Sequence, residues 1–285
     1  MEGLFLRVTA VSLACSAVML PVLLLSRRLC HRYAAHTCYY LWLLLALRLV
    51  LPFQLTVPEP VVTVRPPSYE VSVKLPPSSQ SGAAAVPEVP VQSGAQVRPA
   101  AALESERRVP VTQILAAAWT AGMAAFLLWQ GSAYVLLRRS LLRRAKAADE
   151  WENAVLRRQQ RELELRRPVE LRRAAGVSSP MVLGLLRPVV LLPERAVEED
   201  ALEMVLRHEL VHLRRWDVAY KALLLLANAV HWFNPLVWWM VREGGRNLEL
   251  CCDDEVVRGK DGQFRRRYGE VLLRTAAAGR ASAAG

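Results

Sequence analysis

"VAYKALLLLANAVHWFNPLVWWMV", residues 218–241, is the stretch whose reading decides the fold. It runs for 24 residues with Lys221 as its one formal charge, and hydropathy alone makes it a membrane span. In its middle, "FNP" at 233–235 is a turn signal, because Pro235 disfavours helix at the residue before it. The stretch is therefore either a span that leaves its flanks on opposite sides of a membrane, or two short helices that bring the flanks back together. The flanks decide between the two.

On the N-terminal side stands "LRHELVHLRRWD", 206–217. Glu198, Glu199 and Asp200 favour the positive end of a helix dipole and Arg214 and Arg215 the negative end, which predicts a helix over 199–215. Positions four apart share a helical face, so His208 and His212 can direct their imidazoles at one ion about 2.0–2.1 Å from each nitrogen. Glu209, rotated by one position, can reach a water on that ion without displacing it, as a hydrolytic general base must. The motif alone is modest, and a charged helix with two solvated histidines spells it equally well. A catalytic zinc site needs a third protein ligand. On the C-terminal side, "NLELCCDDEVV" supplies Glu249, with Asp253 four residues on and placed to accept the far N–H of a ligating histidine. If His212 and Glu249 hold one ion, 218–241 cannot cross a membrane. It is expected to be a re-entrant hairpin at the membrane interface, with Trp232, Trp238 and Trp239 at headgroup depth.

Working outward, the chain of 285 residues is 53% hydrophobic yet carries a net charge of +11, a combination that points to a membrane protein with basic flanks. Residues 4–26, 35–55 and 109–137 are long enough to span a bilayer core of about 30 Å. The first has no basic residue before Arg7 and no small-residue cleavage site, so it reads as a retained span, not a secretory signal. Arg27, Arg28 and Arg32 follow span one, and Arg138, Arg139, Arg143, Arg144 and Lys146 follow span three, which predicts that both sides are cytosolic. Residues 56–108 are rich in proline and serine and balanced at five basic and five acidic residues; they read as an extracytoplasmic linker, with a short hairpin within "VVTVRPPSYEVSVKL". The arginines cluster beside spans or mix with glutamates over 149–170, and no nucleic-acid motif accompanies them, so direct nucleic-acid binding is not expected. None of the five cysteines is placed for an outside disulfide.

Residues 138–167 read as one long charged helix that Pro168 stops or kinks. "PVELRRAAGVSSPMVLGLLRPVVLLPE", 168–194, has the β-branched and turn chemistry of two or three short strands. His231 reads as an interfacial residue, Cys251 and Cys252 as packing residues near the metal rather than ligands, and Asp217 as either a brace for the site or part of the following turn.

With those residues assembled, the chain resembles the BlaR/MecR family of membrane zinc metallopeptidases. "GLLRPVVLLPE", "VLRHELVHLRRWD", "HWFNPLVWW" and "ELCCDDEVV" stand in that family's order, sharpest over 176–257. The resemblance implies a mainly α membrane protein of the bacterial cell membrane, multi-pass, with three transmembrane helices and a cytosolic α+β gluzincin-like protease domain over 138–285. It implies zinc as cofactor, His208, His212 and Glu249 as ligands and Glu209 as general base. Gly184, Leu185 and Leu186 belong to a segment similar to the edge strand on which related peptidases lay an extended substrate. The partners implied are membrane lipid and a cytosolic protein substrate, repressor-like or the chain itself; the oligomeric state is left open, a homodimer included. Receptors of the family continue into an outside penicillin-binding sensor domain. Nothing like it precedes Gly285, so a β-lactam sensor is not expected for this chain, whether it is a truncated or a sensorless relative. The competing function is a non-catalytic membrane scaffold or signal transducer that keeps the protease fold.

Overall fold

The computed structural model describes residues 2–32, 35–51, 111–194 and 199–283. The linker 56–108 and its hairpin lie outside the described residues. Three apolar helices open the architecture: α1 (Glu2–Arg32), α2 (Ala35–Val50) and α3 (Val111–Arg144). Two segments, Glu2–Leu25 and Val111–Arg144, are long and apolar enough to cross a membrane. The expected span at 35–55 is described only to Leu51, and its helix of 16 residues reaches about 24 Å, short of a bilayer core.

The expected charged helix over 138–167 is two elements with a strand between them. α3 continues to Arg144, the chain extends as β1 (Ala145–Ala147), and α4 begins at Glu150 and ends at Glu162. The break has two causes. Ala145–Ala147 pairs antiparallel with Arg172–Ala174, and Asp149 caps α4 in a capping box in which its backbone N–H donates to Glu152 Oε2 at 2.9 Å. The helix stops six residues before Pro168, at Leu163 and the left-handed Glu164.

Residues 168–194 give three strands, β2 (Glu170–Ala174), β3 (Met181–Leu183) and β4 (Val189–Pro193). The sheet order is β1-β2-β4-β3, with β2 and β4 parallel and both outer pairs antiparallel. β2 and β4 are the inner strands, and Val189 to Leu192 of β4 are buried on both faces, whereas β3 is an edge. The Glu152 carboxylate, fully buried, accepts from Arg173 Nε at 3.0 and 3.1 Å and ties α4 to β2.

Next comes α5 (Glu199–Arg214), close to its expected bounds. Leu202, Leu206 and Leu210, one helical face, are wholly buried against Leu192 of β4 and the helices that follow. Each contributes about 1.5–3 kcal/mol of burial, which fixes the opposite rim of α5, with its histidines, toward the cleft.

The opening stretch is a hairpin of helices α6 (Asp217–Val230) and α7 (Pro235–Val256), turning at 231–234. α7 is 22 residues long, not short, so Glu249 and Asp253 ride on the helix that Pro235 starts. The hairpin also reaches further than expected. α6 rises about 21 Å from Asp217 to the turn, running antiparallel beside α2: Tyr220 stacks on Tyr39 near one end, and His231 meets the Leu49 carbonyl at the other. Trp232 and Trp238 lie against the middle of α3, at Trp119, Gly122 and Phe126. The turn and its tryptophans are therefore at the far end of the hairpin from the His208 and His212 motif. Both helices pack on Met19 and Leu23 of α1 and on Trp42, Ala46 and Leu49 of α2.

Polar groups at and beside the turn find partners on all three apolar helices. Asn234 Nδ2 donates to Ser12 Oγ and Ser16 Oγ of α1, each at 2.8 Å, while its Oδ1 caps α7 by accepting from Leu236 N–H at 3.0 Å. His231 is fully buried and its Nε2 donates to the Leu49 carbonyl at 3.2 Å. Trp119 Nε1 donates to the Val230 carbonyl at 2.8 Å, and Trp232 Nε1 returns a bond to the Trp119 carbonyl at 3.3 Å. Each of the three apolar helices thus holds the turn. The last element is α8 (Gly262–Ala283), which packs on α5 through Tyr268 and Val271.

Candidate metal centre

His208 and His212 stand one turn apart on α5, rings edge to face with centroids 4.7 Å apart, and bring their Nε2 atoms to 3.1 Å. α7 delivers Glu249 to the same point: its Oε2 lies 3.2 Å from His212 Nε2 and 3.8 Å from His208 Nε2. The turned-back hairpin is what makes this meeting possible. Around an ion with bonds of 2.0–2.1 Å, tetrahedral ligands are separated by about 3.3 Å. The triangle of 3.1, 3.2 and 3.8 Å matches that edge, so the donor set fits zinc.

The outer nitrogens are braced. His212 Nδ1 donates to Asp217 Oδ2 at 2.7 Å, Asp217 being the buried first residue of α6. Of the two roles open to Asp217, the contact is that of a brace: the turn lies at 215–216, and Asp217 is already helical. His208 Nδ1 lies 2.7 Å from the hydroxyl of Tyr268, which in turn donates to Asp253 Oδ1 at 2.7 Å; the direct distance from His208 Nδ1 to Asp253 is 3.3 Å. Asp253 therefore faces the histidine expected for it, with Tyr268 as the nearer partner. Both Nδ1 atoms thus carry a proton and both Nε2 lone pairs point at Glu249.

Three such acceptors repel unless a cation sits among them. Burial alone would lower the His208 imidazole, but its bonds to Asp253, Cys252 and Glu249 outweigh this and raise it well above its ordinary range. His212, opposed by burial in the same way, is pushed up to about 11 by Asp217, Cys252 and Glu249. Burial would raise Glu249, yet its bonds to the two histidines hold it well below the usual carboxylate range. The pocket demands positive charge, which a divalent ion supplies by displacing protons.

Glu209 is partly buried on the wall of a cleft of about 690 Å³ that also exposes His208, His212 and Glu249. Burial pushes its carboxyl up, against the pull of the two histidines. A proton-accepting carboxylate with a raised pKa is suited to general-base work near neutral pH. Lys221 lies 3.1 Å from Glu249 Oε1 and lines the same cleft.

Cys252 also approaches the histidines: His208, His212 and Cys252 offer ligand atoms within 4.8 Å of one another. Its sulfur is fully buried on the Nδ1 side of His208, 3.8 Å from that nitrogen and 3.5 Å from the His208 carbonyl, to which the thiol donates. It lies behind the imidazole rather than in the cleft. Cys251 is also buried, and burial pushes its thiol up to about 11.

The expected substrate segment needs correction. Gly184, Leu185 and Leu186 are not strand but the turn from β3 to β4. Gly184 has φ +93°, and a Cβ there would stand 2.6 Å from the Arg187 carbonyl oxygen, so only glycine closes the turn. Gly184 and Leu185 line the cleft, while Leu186 is 86% exposed and lines a neighbouring groove beside Arg138 and Arg139. Of the two sheet edges, β1 and β3, it is β3 that borders the cleft, with Met181 and Val182 lining it together with Val218 and Leu225 of α6. Among the residues the sequence reading missed, Tyr268 left no signal, being fifteen positions from Asp253 on another helix. Lys221 did leave one, as the lone charge in an apolar stretch.

Two histidines, a carboxylate from a later helix and a glutamate beside the first histidine thus converge on one cleft, a candidate metal centre. The family model for the BlaR1 peptidase M56 matches residues 6–284, so the chain belongs to that family. The regulatory protein BlaR1 of Bacillus licheniformis is 36% identical over 115 residues, 40% of this chain and 19% of that protein. The methicillin resistance mecR1 protein of Staphylococcus aureus is 28% identical over 104 residues, 35% of this chain and 18% of that protein, and that of Staphylococcus epidermidis matches equally. The chain thus matches under a fifth of the length of these curated relatives.

Proposed function

We propose that the chain is a membrane-anchored zinc endopeptidase acting in signal transduction, which hydrolyses a peptide bond in a protein on the cytosolic side, repressor-like or the chain itself. The observation that carries this is the convergence of His208 Nε2, His212 Nε2 and Glu249 Oε2 at one cleft wall with Glu209 beside them. The arginines that follow α3 support a cytosolic position for the cleft. His208, His212 and Glu249 would hold zinc, and what zinc supplies there is Lewis acidity toward water and a peptide carbonyl. Glu209 takes the proton of the attacking water and returns it to the departing amine. Asp217, and Asp253 with Tyr268, keep the Nδ1 protons in place so that both imidazoles remain ligands through the cycle. Extended substrate would lie along the free edge of β3, pairing backbone to backbone across the cleft from α6. A scaffold without catalysis has no use for a carboxylate at Glu209.

The test is to express the full chain and Glu209→Gln in one bacterial host and map protein N-termini. New N-termini that appear with the wild type, and vanish with the variant and with a zinc chelator, are expected. Cleavage that persists in Glu209→Gln would contradict the mechanism, and none in either would leave the scaffold.

A further inference from the structure

We propose that Tyr268 is a positioning residue of the metal centre, which makes the C-terminal helix α8 part of that centre. The proposal rests on the zinc reading above and adds to it a residue outside the metal-binding motifs.

The two histidines are braced differently. His212 has a carboxylate directly on its Nδ1, at the 2.7 Å of a charge-assisted bond. For His208 the equivalent carboxylate, Asp253, is 3.3 Å away, too far for a bond of that strength. The Tyr268 hydroxyl closes the gap with two contacts of 2.7 Å. A phenol can accept from the Nδ1–H while donating to the carboxylate, and these roles are consistent in one direction only. They fix the Nδ1 proton on His208 and leave its Nε2 lone pair for the ion.

Rigidity distinguishes the phenol from the carboxylate it serves. The Asp253 side chain is 35% exposed and free to exchange its partner for water. Tyr268 is 3% exposed, lies in the same apolar cluster as Leu206 and Leu210, and stacks on Phe264 with planes 7° apart. The orientation of His208 is therefore set from α8, whose position is set in turn by Tyr268, Val271 and the ion pair of Arg267 with Asp200. His212 takes its orientation from α6 at the opposite side of the site. One histidine reports the hairpin and the other reports the C-terminal helix.

The experiment is zinc affinity, by competition with a chromophoric chelator, on the detergent-purified full chain: wild type, Tyr268→Phe, Asp253→Asn, the double variant and Leu272→Ala. Loss of an outer partner to a ligating histidine costs about 10–100-fold in metal affinity, and that loss is expected for Tyr268→Phe. The double variant should lose little more than Asp253→Asn alone, because the hydroxyl acts through that carboxylate and the same histidine. Leu272→Ala, which removes packing of α8 on the core away from the hydroxyl, should lower the unfolding midpoint and leave zinc affinity within about twofold. Cobalt substituted for zinc should show a shifted ligand-field spectrum in Tyr268→Phe only if His208 has moved. Zinc held equally by wild type and Tyr268→Phe would overturn this proposal alone. So would losses that are additive with Asp253→Asn, or a loss in Leu272→Ala as large as in Tyr268→Phe, since either marks mere packing. No zinc in the wild type would overturn the metal-centre reading, and this one with it.

Discussion

Replacing Asn234 by Ala should loosen the hairpin, by an amount that can be built from its three contacts. Its Oδ1 caps α7 at Leu236 N–H, and loss of such a cap costs about 1 kcal/mol. Its Nδ2 donates one hydrogen to Ser12 Oγ and the other to Ser16 Oγ. Hydrogen bonds between helices inside a membrane average about 0.6 kcal/mol, because the separated helices find other partners. Ser16 already donates to the Ser12 carbonyl at 2.7 Å and keeps that bond, so its share is at the low end. The sum is about 2 kcal/mol. The assay is unfolding in mixed micelles as the fraction of denaturing detergent rises, read by tryptophan fluorescence, for wild type, Asn234→Ala, Ser12→Ala/Ser16→Ala and the triple variant. If α1 holds the turn as described, Asn234→Ala costs about 1 kcal/mol less in the background that lacks both serines, since only the cap remains to be lost. An identical cost in both backgrounds would refute the reasoning, showing that the amide caps α7 and no more.

Glu249→Ala should abolish stoichiometric zinc by mass spectrometry, whereas Cys252→Ser should keep about one ion per chain, because its sulfur faces the Nδ1 side of His208. The reverse pattern would make the centre His208, His212 and Cys252. Gly184→Ala meets both a left-handed φ and a carbonyl oxygen at 2.6 Å, while Gly176→Ala meets φ +83° with open space around it. The strained φ costs about 1–3 kcal/mol at each, so a melting temperature lower for Gly184→Ala than for Gly176→Ala reads the clash in the β3–β4 turn.

The centre was more legible in the sequence than the elements around it, for physical reasons. A metal ligand set has fixed spacing on α5 and fixed residue types, and "FNP" marks the turn because proline acts on its immediate neighbour. Strand chemistry over 168–194 was visible from glycine, proline and β-branched residues, but which strand forms the edge depends on pairing, and that placed Met181–Leu183 outside and Gly184–Leu186 in a turn. The "DEWE" at 149–152 carried a local capping signal that a long charged run concealed. The reach of the hairpin was illegible: only the length of α6 and the pairing with Trp119 and Phe126 place Trp232 and Trp238 far from the motif. Tyr268 meets Asp253 and His208 through tertiary packing of α8, for which no spacing rule exists.

The packing of the hairpin also explains how a ligand carried on a long inserted helix can be placed to within a few tenths of an ångström. Asp217 and Glu249 sit at the base of two helices whose only covalent connection is the turn about 21 Å away. A tilt of a few degrees there would move the base by more than a bond length, so the turn alone cannot set the site. Closer to the base, Gly244 supplies the missing constraint. A Cβ at Gly244 would stand 3.1 Å from Leu224 Cδ1 and 3.2 Å from the Tyr220 hydroxyl, so α6 and α7 approach as only a small residue permits. Gly244 precedes Glu249 by little more than one turn, and Tyr220 is held from the other side by its stack on Tyr39 of α2, ring centroids 4.6 Å apart. Lys221, next to Tyr220, then reaches Glu249 Oε1 at 3.1 Å. The position of Glu249 is thus fixed by apolar close packing little more than one turn away, and its polar contacts choose only which carboxylate oxygen faces the histidines.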